Sequence, residues 1–195
     1  MTDKQRQRQG HLIVVSAPSG AGKTTLCKAL LKHYPDIVYS ISTTTRRPRK
    51  GEKNGVDYHF MDKERFIEKL NDHCWAEWAQ VHDNYYGTSA AFLDQTLDAG
   101  RDILLDIDVQ GARQIRERYP NAITVFIMPP SLKVLRERLE KRGTDSRETI
   151  EKRMRNAQEE MLNKEVYRHV IVNDQLAVAK KKLIDIVGSY KEKKH

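Results

Sequence analysis

One stretch near the start of the chain, Leu12-Ile-Val-Val-Ser16 followed by Ala17-Pro-Ser-Gly-Ala-Gly22-Lys23-Thr24, constrains the fold more than any other. The short apolar run reads as a buried strand, and Thr24–His33, with Leu26, Ala29, Leu30 and His33 on one side, reads as the helix behind it. Between them, Gly20 and Gly22 allow backbone conformations and a close approach that a Cβ would hinder. Backbone N–H groups of Ser19 to Lys23 can then wrap phosphate oxygens, with the positive end of the helix aimed at the same point. Lys23 would reach terminal phosphates and the Thr24 hydroxyl would ligate Mg²⁺. An ordinary glycine-rich turn lacks both the apolar strand and the amphipathic helix. Ala17 stands where this pattern usually has its first glycine, a change that leaves the glycines nearest the phosphate intact. The predicted phosphate-binding set is Ala17, Pro18, Ser19, Gly20, Ala21, Gly22, Lys23 and Thr24.

Ile103-Leu-Leu-Asp106-Ile-Asp108 is the natural partner of this loop, an apolar strand ending in a carboxylate that organises the water shell of Mg²⁺. Asp106 joins Thr24 as the predicted metal site. Further strand-like runs, Ile37–Ser42, Ala122–Met128 and His169–Val172, are separated by helical patterns at Val109–Tyr119, Ser131–Arg142, Ser146–Lys164 and Leu176–Tyr190. Such alternation predicts an α/β fold with a parallel core sheet flanked by helices. A length of 195 residues suits one domain with an insertion.

Charge is a poorer guide. A net charge of +8 invites a nucleic-acid partner or a phosphorylated ligand. Most of the excess, however, lies in residues 1–10, read as a basic flexible tail, and 180–195. No nucleic-acid partner is therefore expected. No run approaches the roughly 18 apolar residues of a membrane span, and Met1–Gly10 has no apolar stretch of a leader. Cys27 and Cys74 stand in no metal-like or redox spacing, so a reducing cytoplasm is the expected compartment.

Between Ser42 and Thr88 the texture changes. Tyr58–Phe60, Trp75–His82 and Tyr85–Tyr86 read as short strands, with Asp83-Asn84 as a hairpin turn and Met61–Asn71 as a helix capped by Asp62. This aromatic-rich block reads as an inserted subdomain. Its Arg46 and Arg49 suit a dianionic phosphate monoester, because two planar donor forks match phosphate better than one ammonium does. Alone, Arg46, Arg47 and Arg49 read by default as a solvated basic loop or a nucleic-acid patch.

Ser42-Thr-Thr-Thr-Arg46-Arg-Pro-Arg49, Gly51-Glu-Lys-Asn-Gly55-Val-Asp-Tyr58, Glu77-Trp78-Ala79, Asn84-Tyr-Tyr86-Gly-Thr88 and Leu105-Asp-Ile-Asp108 resemble, in order, the signatures of the guanylate kinase family. Arg142-Gly143-Thr144, Lys152-Arg153 and Val172-Asn173-Asp174 continue the likeness, which covers Leu12 to Val187. The resemblance implies a P-loop nucleoside monophosphate kinase over residues 11–188. Its core would be 11–41 and 89–190, its GMP-binding arm 42–88 and its mobile helical lid about 131–160. It further implies transfer of the γ-phosphoryl group of ATP to GMP with Mg²⁺, giving ADP and GDP in purine nucleotide metabolism. Nothing clearly reads the 2′-hydroxyl, so dGMP is expected as an acceptor too.

The resemblance assigns roles residue by residue. Tyr58 and Tyr86 would add hydroxyls to Arg46 and Arg49 on the acceptor phosphate. Glu77, which alone reads as a solvent-facing strand residue, would accept the ring N–H and exocyclic amine of guanine, a donor pair that adenine lacks. Ser42 and Thr88 would bond the guanine carbonyl, and Asp108 would support GMP from the core side. Arg142 and Arg153 would close over the transferring phosphoryl group, with Arg138 a further candidate, and Asn173 would lie near the adenine of ATP. No dedicated catalytic base is required. The same fold also serves as a non-catalytic protein-binding module in scaffold proteins. Intact Lys23, Thr24, Arg46, Arg49 and Glu77 argue against that alternative, and the oligomeric state is left open between monomer and homo-oligomer.

Overall fold

The structure, a computed structural model, describes residues 9–81, 83–143 and 145–192. Apart from Gln9 and Gly10 the expected basic tail lies outside these residues, as do His82 and Thr144. The elements run β1 (Leu12–Ser16), α1 (Lys23–His33), β2 (Val38–Tyr39), β3 (Thr43–Thr44), β4 (His59–Phe60), α2 (Lys63–Asn71), β5 (Trp75–Val81), β6 (Asn84–Ser89) and α3 (Ala90–Asp98). They continue with β7 (Ile103–Asp106), α4 (Val109–Arg118), β8 (Ile123–Met128), α5 (Leu132–Lys141), α6 (Arg147–Leu162), a 3₁₀ turn at Asn163–Val166, β9 (His169–Val172) and α7 (Leu176–Glu192). The chain divides into two compact units, one of Met1–Leu12, Asp36–Leu105 and Gln110–Ala122, the other of Ile13–Pro35, Asp106–Val109 and Ile123–His195.

In the second unit β1, β8 and β9 pair in parallel, from Ile13↔Ile123 to Ser16↔Phe126 and from Val125↔His169 to Met128↔Val172. β1 is buried along its whole length and β8 in all but its last residue, which is why these strands read as continuous apolar runs rather than alternating ones. Helices α1 and α7 pack together, burying Leu26 and Leu30 of one and Leu183 and Val187 of the other. α5 and α6 close a separate small core of Leu135, Leu139, Ile150, Met154 and Ala157. Ser131 and Ser146 cap these two helices, each accepting from a backbone N–H at 3.2 Å.

In the first unit β2 and β7 pair in parallel. A second, mixed sheet has the order β4-β3-β6-β5. Phe66 of α2 holds this sheet, stacking between Trp75 at 4.4 Å and Tyr85 at 5.3 Å between ring centroids. Gly87 is required beneath it, since a Cβ there would lie 3.0 Å from the Phe66 ring and 3.1 Å from the Glu77 carbonyl. At the β5 edge the Gln114 carboxamide of α4 stands in for a neighbouring strand, donating to Trp78 O at 2.7 Å and accepting from Trp78 N at 3.1 Å.

Among the boundaries that differ from the sequence reading, three carry a physical lesson. The run Ile37–Ser42 shortens to β2, with Ser40 N still reaching Leu104 O at 3.0 Å, and Thr43 and Thr44, just beyond the run, pair with β6 and β4 of the other sheet. β3 thus carries no local mark of its own. The strand Ile103–Asp108 ends at Asp106. The hairpin turn shifts by one residue: Asn84 already pairs with Val81, so Asp83 belongs to the turn and Asn84 to the strand.

Candidate active site

The phosphate loop is built by β1 running into α1. Gly20 and Gly22 have φ of +97° and +99°, conformations that residues with a Cβ rarely adopt. Packing makes the same demand: a Cβ on Gly20 would meet Leu135 and Leu139 at 3.0 Å, and one on Gly22 would collide with the Asn173 carboxamide. Gly22 occupies the N-cap of α1 and no described side chain caps that helix; the Thr25 N–H turns back to Gly22 O at 3.1 Å, while those of Lys23 and Thr24 stay available to an anion. Every residue of the predicted loop except Ala21 lines a cavity of about 360 Å³, together with Thr25, Asp108, Arg142 and Glu160. Ala21 is buried and its N–H donates to Pro18 O at 3.0 Å, so that donor is spent inside the loop.

Lys23 Nζ lies 2.6 Å from Asp106 and donates to Ile107 O at 3.0 Å. The lysine and the predicted metal carboxylate therefore neutralise each other in this state. Arg153 of α6 donates to Ser19 Oγ at 3.3 Å and pairs with Asp145 at 3.1 Å, while Arg142, at the C-terminal cap of α5, lines the cavity. Arg138 donates to Asn173 O at 2.9 Å, which commits it to the scaffold. Asp108, expected at the acceptor, lines the phosphate-loop cavity, with its carbonyl accepting from Ser16 Oγ at 3.4 Å. Burial and the nearby Asp108 carboxylate push the Glu160 carboxyl up to about 7.

The residues predicted at the acceptor gather in the first unit. Arg46 leaves β3 with its backbone N–H donating to Thr44 Oγ1 at 3.2 Å, and its guanidinium lies 5.4 Å from the Tyr58 ring. Tyr58 and Tyr86 meet edge-on at 6.0 Å. Glu52 holds the group from behind, accepting from Arg46 Nη2 at 2.8 Å and from the Arg49 backbone N–H at 2.7 Å. These hydrogen bonds, that to Arg46 foremost, hold the Glu52 carboxyl below the usual carboxylate range. Glu77 is only 5% exposed, and Thr88 Oγ1 donates to it at 2.5 Å. A register shift between Trp75 and Glu77 in β5 sets Glu77 opposite Thr88, a local kink of the kind that re-aims side chains at sites. The predicted solvent-facing alternative for Glu77 is thereby removed. Ser42 precedes β3, its carbonyl accepting from His59 N at 2.9 Å.

The guanylate kinase family model matches residues 9–190. The chain belongs to the guanylate kinase family. Among its relatives, a guanylate kinase of Latilactobacillus sakei is 47% identical over 182 residues, covering 93% of this chain and 90% of that one. One of Dechloromonas aromatica is 51% identical over 170 residues, covering 87% and 84%. The crystal structure of guanylate kinase from Anaplasma phagocytophilum superposes with a TM-score of 0.76 at 34% identity, covering 94% of this chain and 87% of that one. Family membership brings the P-loop NTPase fold, consistent with the strand–loop–helix of β1 and α1.

Two residues beside the predicted ones, one in each unit, carried no assignment in the sequence reading. Glu52 sits inside a quoted signature, but only the fold brings its carboxylate onto Arg46. Glu160 lies in a charged helix; its spacing from Arg153 and Ala157, seven and three residues, is the signal that places all three on one helical face.

Proposed function

We propose the following division of labour in the transfer of the γ-phosphoryl group of ATP to GMP, which yields ADP and GDP. The loop 17–24 holds the ATP phosphates with backbone N–H groups, and Lys23 exchanges Asp106 for phosphate oxygens when nucleotide enters. Arg142 and Arg153 stabilise charge spread over the transferred group, where positioned cations do most of the work. Residues 131–160 act as the lid that carries them. Residues 42–88 form the acceptor arm: Arg46, Arg49, Tyr58 and Tyr86 take the GMP phosphate, and Glu52 fixes the arginine loop. Glu77 accepts from the guanine ring N–H and amine, with Ser42 and Thr88 completing recognition of the base. The reaction requires no side chain to act as a general base.

Thr24 and Asp106 suit Mg²⁺. Among the described residues no three His, Cys, Asp or Glu converge as a metal cage. So sparse a donor set fits an ion that keeps several waters and binds through one or two protein groups plus substrate phosphates. When bound, Mg²⁺ supplies charge neutralisation on the phosphate oxygens. Among the described residues no helix is long and apolar enough to cross a membrane. The cytoplasm, as part of purine nucleotide metabolism, is the proposed setting.

The buried Glu77–Thr88 pair is the observation that carries the acceptor assignment. A buried carboxylate aligned with a hydroxyl supports selection of a base with adjacent donors, because a base lacking them leaves polar groups unpaired. The test is ADP release from MgATP. Release should depend on GMP and vanish in Lys23→Ala with GMP binding retained. GMP binding without any ADP release would favour a non-catalytic module.

A further inference from the structure

A buried amide holds the loop 17–24 from behind. Asn173 follows the last residue of β9 and is 4% exposed. Its backbone N–H donates to Met128 O at 2.7 Å, and its carbonyl accepts from Arg138 of α5 at 2.9 Å. Its Nδ2 donates to Ala21 O at 2.7 Å. The amide has one productive orientation, since the flipped form would set two acceptors against each other. Its Oδ1 is buried and has no hydrogen-bond partner among the described residues, a cost accepted at this position. The side chain is not among the residues lining the phosphate cavity, and a Cβ on Gly22 would collide with it.

The geometry of a trans peptide gives this contact a consequence. Ala21 C=O and Gly22 N–H belong to one planar unit and point in opposite directions. Pulling the carbonyl inward onto Asn173 turns the Gly22 N–H outward, and Gly22 lines the cavity. We propose that Asn173 is a positioning residue for the phosphate loop, aiming the Gly22 N–H at the bound phosphates through its bond to the Ala21 carbonyl, with Arg138 tying α5 to the same point. This rests on the reading of residues 17–24 as the ATP site. It differs from the role that the family resemblance implies for Asn173, a place near adenine, because the contact acts on the phosphates alone.

Calorimetric binding of ATP and of tripolyphosphate, which has no base, separates the two. Asn173→Ala should weaken both ligands by the same factor, about tenfold for one well-placed hydrogen bond, with GMP binding unchanged as evidence of an intact fold. A loss confined to ATP would show a contact with the base and overturn the proposal, as would unchanged binding of both. Asn173→Asp, which keeps the shape but sets an oxygen against Ala21 O, should give at least the same equal loss and serves where the alanine variant fails to fold. Lys23→Ala is the control for the underlying reading. If it leaves tripolyphosphate binding intact, the loop is not the phosphate site, whatever the Asn173 variants do.

Discussion

The proposed phosphate loop and the proposed acceptor arm are built from different parts. In the loop the donors are backbone N–H groups on a contiguous stretch, shaped by Gly20 and Gly22 and held by the Ala21 carbonyl on one buried amide. In the arm the proposed donors are the side chains of Arg46, Arg49, Tyr58 and Tyr86, and the placement of Arg46 rests on its ion pair with Glu52. Arg46 stands where it does because Glu52 is 2.8 Å away, and Glu77 faces Thr88 because β5 shifts register after Trp75. A backbone cradle recognises charge with little regard for what bears it. A side-chain site recognises identity, and each of its members is individually exposed to substitution.

The contrast sharpens most at Glu77. Glu77→Gln should lower kcat/KM for GMP by about 10²–10³ while KM for ATP stays within about twofold, as steady-state kinetics with each substrate varied will show. A matching loss on the ATP side would break the separation between the two sites. Glu52→Gln comes next. It removes the carboxylate that orients Arg46 without touching substrate, so KM for GMP should rise about tenfold with kcat nearly unchanged, and Glu52→Asp should recover part of the loss. A fall in kcat with KM unchanged would instead place Glu52 in the chemistry.

The smallest effect belongs to Glu160, on the loop side. Burial raises its carboxyl from 4.5 to about 7 in the folded chain. Below about 4.5 the group is neutral in both states and costs nothing. Between about 4.5 and 7 the unfolded chain ionises while the folded one keeps its proton, so stability falls as pH rises, and above about 7 the penalty is constant. Urea midpoints should therefore show Glu160→Gln stabilising the protein at about pH 8 and leaving it unchanged at about pH 4.5. Equal midpoints at the higher pH would contradict the burial of this group.

Legibility followed the same division. The loop was readable because strand, glycines, Lys23 and helix are contiguous and each obeys a local rule, and β1 and β8 because burial on both faces makes them continuous apolar runs. Elements defined by distant partners were not. β3 is two threonines whose partners are β4 and β6, and the turn before Asn84 is set by pairing with Val81. Glu52 and Gln114 gain meaning only from Arg46 and Trp78, across sequence separations that no periodicity spans. Asn173 was expected near adenine, and nothing local shows that its carboxamide reaches the Ala21 carbonyl.

The central claim is that selectivity resides in the arm, through Glu77, while the loop supplies phosphoryl transfer without regard to the acceptor base. A panel of GMP, dGMP, AMP, UMP and dTMP as acceptors with MgATP, followed by ADP release in the wild-type protein, tests it most directly. GMP and dGMP should be turned over, and the other three should be poorer by about 10³ or more in kcat/KM. Turnover of AMP or UMP at a rate comparable to GMP would contradict the account.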